Sequence, residues 1–267
     1  MKKVLFLGQR PLGEACFNLA LAADGIEIGA VASNKSANVW WGSNGIYQRS
    51  QERNIPFIDN EFRNNDEILA AIRDFEVDMI MSVQHCWILT RDMIAAVGGN
   101  AFNLHMAKLP EYKGHYPFVH AILNGERNYT VTLHWMTPKV DYGDIAYEAT
   151  FPIEPMDTAF DLYRKACDAS IAIFKRLVSD VAQDRPPPAS GMSGHHRFYS
   201  RNSLRDIERV HQLTDEDEVD RKSRALFFPP FTPAYAVVGG KRIYLLPQRL
   251  EDTSECNLCR YGEPNNE

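Results

Sequence analysis

Residues 1–31 read MKKVLFLGQRPLGEACFNLALAADGIEIGAV, and the apolar pattern of this stretch decides the fold class. Val4, Leu5, Phe6 and Leu7 form an unbroken apolar run, as in a strand covered on both faces; strict alternation would mark a sheet with one wet side. Gly8 turns the chain, Leu12 to Ala23 follows at helical spacing, and Ile26 to Val31 supplies a second apolar strand. Strand, helix, strand in this order opens a parallel sheet with crossover helices.

The alternation continues outward. Ile46 to Arg53 reads as a helix, Ile55 to Ile58 as a short strand, Asp66 to Phe75 as a helix and Met79 to Ser82 as another strand. Thr90 to Val97 predicts a helix capped by Thr90, and Ala101 to His105 a strand that enters the polar loop Met106 to His115. Beyond a helix over Tyr116 to Asn124, Tyr129 to Trp135 and Ile145 to Phe151 are expected to pair across a turn holding Asp141, Tyr142, Gly143 and Asp144. Thr158 to Val181 is the longest helical stretch. The expected fold is therefore α/β, a Rossmann-like, mostly parallel sheet flanked by helices, with a small carboxyl-terminal helix-plus-hairpin region.

Pro186, Pro187 and Pro188 cannot extend a helix, so the reading divides the chain into a core over 1–183, a proline-rich linker over 184–190 and a small region over 191–250. That region holds a helix over Thr214 to Leu226 and a hairpin over Tyr235 to Leu246 turning at Gly239 and Gly240, suited to nucleotide binding or dimerisation. Residues 251–267 are polar and expected to fray.

Composition narrows the function classes. With 45% hydrophobic and 24% charged residues over 267 positions the chain has material for a sizeable core. Its net charge of -6 opposes phosphate polymers, so nucleic acid is not an expected partner. Five cysteines without a disulfide-framework spacing suit a reducing compartment, with the cytoplasm as the expected location, and no apolar run reaches the ~18 residues of a membrane span. Cys256 and Cys259 make one pair where a zinc site needs four ligands, so no metal is expected.

Chemistry in an open parallel sheet gathers beyond the carboxyl ends of the strands. Asn103 and His105 lie at such an end, and residues two apart in a strand share a face, so both side chains project into one space. The loop after them holds Leu109, Pro110, Lys113, Gly114, His115, Tyr116 and Pro117, too punctuated for a helix and rich in groups that hold polar ligands.

With Asp141 following His105 by 36 positions, the ordered set Asn103-Leu104-His105, Leu109-Pro110, Lys113-Gly114, Val131-Thr132 and Val140-Asp141-Tyr142-Gly143-Asp144 resembles the folate-dependent formyltransferases. Within them the chain looks closest to enzymes that formylate an aminodeoxysugar on a nucleoside diphosphate. The resemblance implies a catalytic set of Asn103, His105 and Asp141, with N10-formyltetrahydrofolate as co-substrate. It also implies a folate pocket at the loop Gln84, His85, Cys86, Trp87, Ile88 and Leu89, closed by the turn that carries Val140. For the nucleotide-linked aminosugar it points to Lys113, His115, Tyr116, Tyr199, Arg201, Arg224, Phe228 and Phe231, with Trp41 as a further pocket-lining candidate, since aromatic faces stack on bases and cations hold diphosphates. A homodimer is expected.

The chemistry asked of the three is definite. A neutral amine attacks the formyl carbon, and the carbonyl oxygen becomes an anion that needs donors where it forms. Asn103 and His105 can supply them, while Asp141 orients the imidazole. A nicotinamide oxidoreductase is the main rival outside the family; against it, Gly8 and Gly13 do not spell the dinucleotide fingerprint, and Ala32, Ser33 and Asn34 stand where an acid should close the second strand. A tRNA-linked or purine-pathway amine remains an alternative acceptor.

Overall fold

A computed structural model describes residues 1–36, 44–61 and 64–248. In chain order the elements are β1 (Lys2–Gly8), α1 (Arg10–Leu21), β2 (Ile26–Ser33), α2 (Gly45–Glu52), β3 (Phe57–Asp59), α3 (Asn65–Asp74), β4 (Met79–Val83), α4 (Arg91–Ala96) and β5 (Ala101–His105). There follow β6 (Lys113–Gly114), α5 (Pro117–Leu123), β7 (Asn128–Trp135), β8 (Ile145–Pro152), α6 (Ala159–Ala182), β9 (Phe198–Tyr199), α7 (Glu216–Ala225), β10 (Tyr235–Val238) and β11 (Lys241–Tyr244). The strand-helix alternation expected from the sequence is present throughout, Thr90 caps α4 through its side chain, and element ends differ by a few residues.

Seven strands form one sheet in the order β3-β2-β1-β4-β5-β7-β8. The first five run parallel and β7 joins β5 antiparallel. Side-chain pairs Thr130 with Thr150 and Thr132 with Glu148 show the descending register of an antiparallel β7-β8 pair. The jump from β1 to β4 beside β2 is a topological switch point, and the carboxyl ends of β4 and β5 open next to it.

β1 is central, which explains its unbroken apolar run. Leu5 and Leu7 face one side and join a core of Ile68 and Ile72 from α3 with Met93 and Ile94 from α4. Phe6 faces the other side, its ring 5.3 Å from that of Phe17 in α1 and 6.4 Å from that of Phe174 in α6. All three phenylalanines are fully buried, each such burial contributing roughly 1.5–3 kcal/mol.

The chain forms two compact units: Met1–Lys113 with Thr130–Thr150 and Cys167–Arg197, and Gly114–Tyr129 with Phe151–Ala166 and the chain from Phe198 onward. The division therefore does not fall at the proline run. The prolines belong to the first unit because the Trp135 indole donates to the Pro188 carbonyl at 2.8 Å and Ser190 bridges Ile145 at the sheet edge. The second unit has an aromatic cluster of its own: Phe228 packs against Phe118, Phe160 and Tyr163, with ring centroids 5.4–6.5 Å apart. Its hairpin pairs Tyr235 with Tyr244 and turns at Gly239 and Gly240, both at positive φ, the backbone a two-residue turn requires.

Candidate active site

β5 is held between β4 and β7, and this register decides the surroundings of Asn103. Ser82 of β4 and His134 of β7 are its two cross-strand partners. His134 lies 2.8 Å through Nδ1 from the Trp135 carbonyl, so that nitrogen carries the hydrogen and Nε2 is left as an acceptor. Asn103 Nδ2 sits 3.2 Å from Nε2 and donates to it, while the Ser82 hydroxyl donates to Asn103 Oδ1 at 3.0 Å. Two neighbours thus fix which end of the amide is which. The second N–H of Asn103 remains for an acceptor in the site.

His105, two residues on, places Nδ1 3.5 Å from Asp141 Oδ1 and Nε2 2.8 Å from the Tyr112 carbonyl. Both nitrogens face acceptors, the Asp141 carboxylate on one side and the Tyr112 carbonyl on the other. His105 and Asp141 side chains are 12% and 10% exposed, enough for a small substrate to reach and little enough to strengthen the charge interaction. His105 Nε2 can donate to a further acceptor only by releasing the Tyr112 carbonyl, whereas Asn103 has an N–H to spare.

Asp141 reaches the imidazole from a strained turn. Its φ is +52°, which aspartate tolerates better than most residues, and the Thr137 hydroxyl ties the turn, accepting from the Lys139 amide with its one hydrogen in reach of the Lys139 and Tyr142 carbonyls. Gly143 follows at φ +123°, where a β-carbon would stand 2.0 Å from the Trp135 carbonyl. Only glycine lets the turn pack this closely.

Burial holds His134 well below its ordinary value, at about 4, despite the raising effect of its Trp135 bond, with His105 lowering and Asp141 raising it further. His85 is likewise lowered to about 4 by burial. The unfolded chain takes up these protons from about pH 6.5 downward and the folded chain does not, so stability contributed by the two neutral rings is full above that pH and lost towards pH 4. The melting temperature is expected to fall across this window and to fall less steeply in His134→Gln. A melting temperature that rises on acidification would contradict the assignment.

The loop after β4 is shaped by Asn60, a residue the sequence reading passed over. Gln84 stands at φ +56° with its amide 3.2 Å from Met106 Sδ, His85 Nδ1 and Cys86 Sγ face the Asn60 amide, and the Trp87 indole donates to the Asn60 carbonyl. Ile88 is exposed and Val140 half-exposed, both available to an apolar ligand face. Leu89 is not: its side chain is buried in the core beside Met93, because the loop has by then turned back under the sheet.

The residues expected to hold a nucleotide sugar have diverse surroundings. In the first unit Lys113 is buried, its Nζ 2.9 Å from His196 Nδ1 and 3.1 Å from the Tyr142 ring centroid; hydrogen bonds from Lys139 and Lys113 lower the Tyr142 phenol. In the second unit Tyr116 stands at φ +57° and is exposed, the His115 amide donates to the Tyr199 carbonyl, and the Tyr199 ring stacks on His120 at 3.8 Å. Arg201 and Phe231 are exposed. Arg224 is engaged by the Asp220 carboxylate, one helical turn before it, and by the Asp157 carbonyl; Phe228 is engaged in the aromatic cluster. Trp41 lies outside the described residues. Among the described residues no cluster of metal-ligating side chains forms and no helix is long and apolar enough to cross a membrane.

With this geometry in place, comparison with known proteins is direct. Residues 16–178 match the family model described as formyl transferase. The chain is 28% identical over 247 residues to the GDP-perosamine N-formyltransferase of Brucella melitensis, spanning 92% of each chain. Among solved structures it is similar to a 4-N formyltransferase from Francisella tularensis (TM-score 0.75, 16% identity, 92% of this chain and 96% of that one). It is also similar to WlaRD, a sugar 3N-formyl transferase crystallised with dTDP and 5-N-formyl-THF (TM-score 0.71, 23% identity, 91% and 85%). The family match covers more than half of the chain and contains all three residues of the Asn103, His105 and Asp141 set, and on that ground the chain belongs to the formyl transferase family.

Proposed function

We propose that this enzyme transfers a formyl group from N10-formyltetrahydrofolate to the amine of a nucleoside-diphosphate-linked amino-deoxysugar, with a 4-amino-4,6-dideoxyhexose on GDP or dTDP favoured. The observation that carries the reading is the similarity to a GDP-perosamine N-formyltransferase along 92% of both chains, which includes the second unit as well as the catalytic set.

In this reading Asn103, oriented by Ser82 and His134, donates its second N–H to the formyl oxygen as that oxygen gains charge. His105, oriented by Asp141, manages the proton the amine loses. The loop Gln84 to Ile88, with Val140, forms the folate wall; its residues fit such a ligand, with backbone amides for a pterin edge and Ile88 for an apolar face. Recognition of the nucleotide is assigned within the second unit to its exposed Tyr116, Arg201 and Phe231. A cytoplasmic homodimer completes the proposal, for which the hairpin offers exposed apolar residues, Val237 and Tyr244 on one face and Val238 and Ile243 on the other.

Incubation with formyl-tetrahydrofolate and a panel of GDP- and dTDP-linked aminosugars should give a formylated sugar by mass spectrometry. Formylation of none of them, alongside formylation of a purine-precursor amine, would replace the substrate assignment.

A further inference from the structure

We infer that Asn60 is a positioning residue for the folate co-substrate: it holds the loop Gln84 to Leu89 in its binding shape without touching the reacting atoms. The inference rests on the reading of that loop as the folate wall.

Asn60 follows β3 directly and is 2% exposed, an unusual burial for an amide side chain. Its own backbone N–H donates to the Ser33 carbonyl at 2.9 Å, which pins it to the end of β2. From that fixed place it meets three consecutive loop residues. The side-chain Nδ2 lies 3.2 Å from His85 Nδ1 and 3.7 Å from Cys86 Sγ, and the main-chain carbonyl accepts from the Trp87 indole at 3.1 Å. These contacts join residues 25 to 27 positions apart, so they are not the local chemistry of a turn.

The rest of the loop shows why such a holder is needed. At one end Gln84 takes a left-handed backbone, and at the other Leu89 is buried in the core, but between them no ladder of backbone bonds fixes the chain. The amide also selects a form of His85. An N–H donated to Nδ1 requires that nitrogen to be bare, so the neutral ring carries its hydrogen on Nε2. Burial, which keeps His85 neutral down to about pH 4, supports the same arrangement.

The test compares wild type, Asn60→Ala and Asn60→Asp for binding of 5-formyltetrahydrofolate by calorimetry, for kcat and sugar KM at saturating formyl donor, and for melting temperature. Asn60→Ala is expected to weaken folate binding about 10-fold, the loss of one to two buried hydrogen bonds, with kcat within about 2-fold and sugar KM unchanged. Asn60→Asp keeps the size, and His85 can shift its hydrogen to Nδ1 to meet the carboxylate, so affinity should return to within about 3-fold of wild type; the Trp87 contact is to the main-chain carbonyl and is common to all the variants. Should Asn60→Ala not fold, Asn60→Ser serves instead, its hydroxyl being too short to span to His85. Wild-type folate affinity in the shortened variant overturns the inference, as does a loss spread equally over kcat and sugar KM, or an Asn60→Asp variant as weak as Asn60→Ala. A wild type that binds no folate overturns the functional reading itself.

Discussion

Asn103→Ala is expected to lower kcat on the order of 100- to 1000-fold while leaving both KM values nearly unchanged, the cost of removing one preorganised donor from a developing oxyanion. The size follows from preorganisation. Asn103 is clamped by the Ser82 hydroxyl on its oxygen and the His134 acceptor on its nitrogen, so no reorientation is needed when the formyl oxygen gains charge. With alanine, Ser82 and His134 also lose a partner inside the sheet, and some loss of stability should accompany the loss of turnover. Asn103→Asp separates the two effects. It can keep the Ser82 contact but offers no N–H to His134 or to the substrate, so its kcat should fall as far as that of alanine. Turnover within 10-fold of wild type for either variant would remove Asn103 from the chemistry.

Asp141→Asn is expected to reduce kcat roughly 100-fold or more, the usual contribution of a positioned proton-transfer group, with nucleotide-sugar binding largely retained. Asparagine has the shape of aspartate and tolerates the left-handed backbone at φ +52°, so the turn should survive. What disappears is the charge 3.5 Å from His105 Nδ1. An amide there can present either its oxygen or its NH2, and the imidazole loses the partner that fixes its orientation against the Tyr112 carbonyl. Single-turnover kinetics with formyl donor in excess isolate the chemical step from product release. A near-normal single-turnover rate would leave Asp141 a structural turn residue and nothing more.

Much of this protein was legible in one dimension. The apolar run of β1, the glycine and proline punctuation and the alternation of periods 2 and 3.6 are local signals, and they located nearly every element and the strand end at which Asn103 and His105 stand. Other parts were not legible, for a common reason. His134 carries no motif, and its place beside Asn103 depends on the register of β7 against β5. Asn60 carried no motif, since its contacts cross from one βα unit to the next. Arg224 and Phe228 looked like ligand-binding groups by type, yet the fold occupies one with Asp220 and the Asp157 carbonyl and the other with Phe118, Phe160 and Tyr163.

The amino-acid order alone determined the α/β class and the strand end at which Asn103 and His105 stand, because residue type and short-range periodicity are written locally; Asp141 joined them only through the family resemblance of the ordered motif. Tertiary structure decided which end of the Asn103 amide faces the site, which neighbours hold His105 and the loop after β4, and where the compact units divide. Those outcomes depend on hydrogen bonds between residues tens of positions apart. Such bonds exist only once hydrophobic burial around β1 has brought the strands into register.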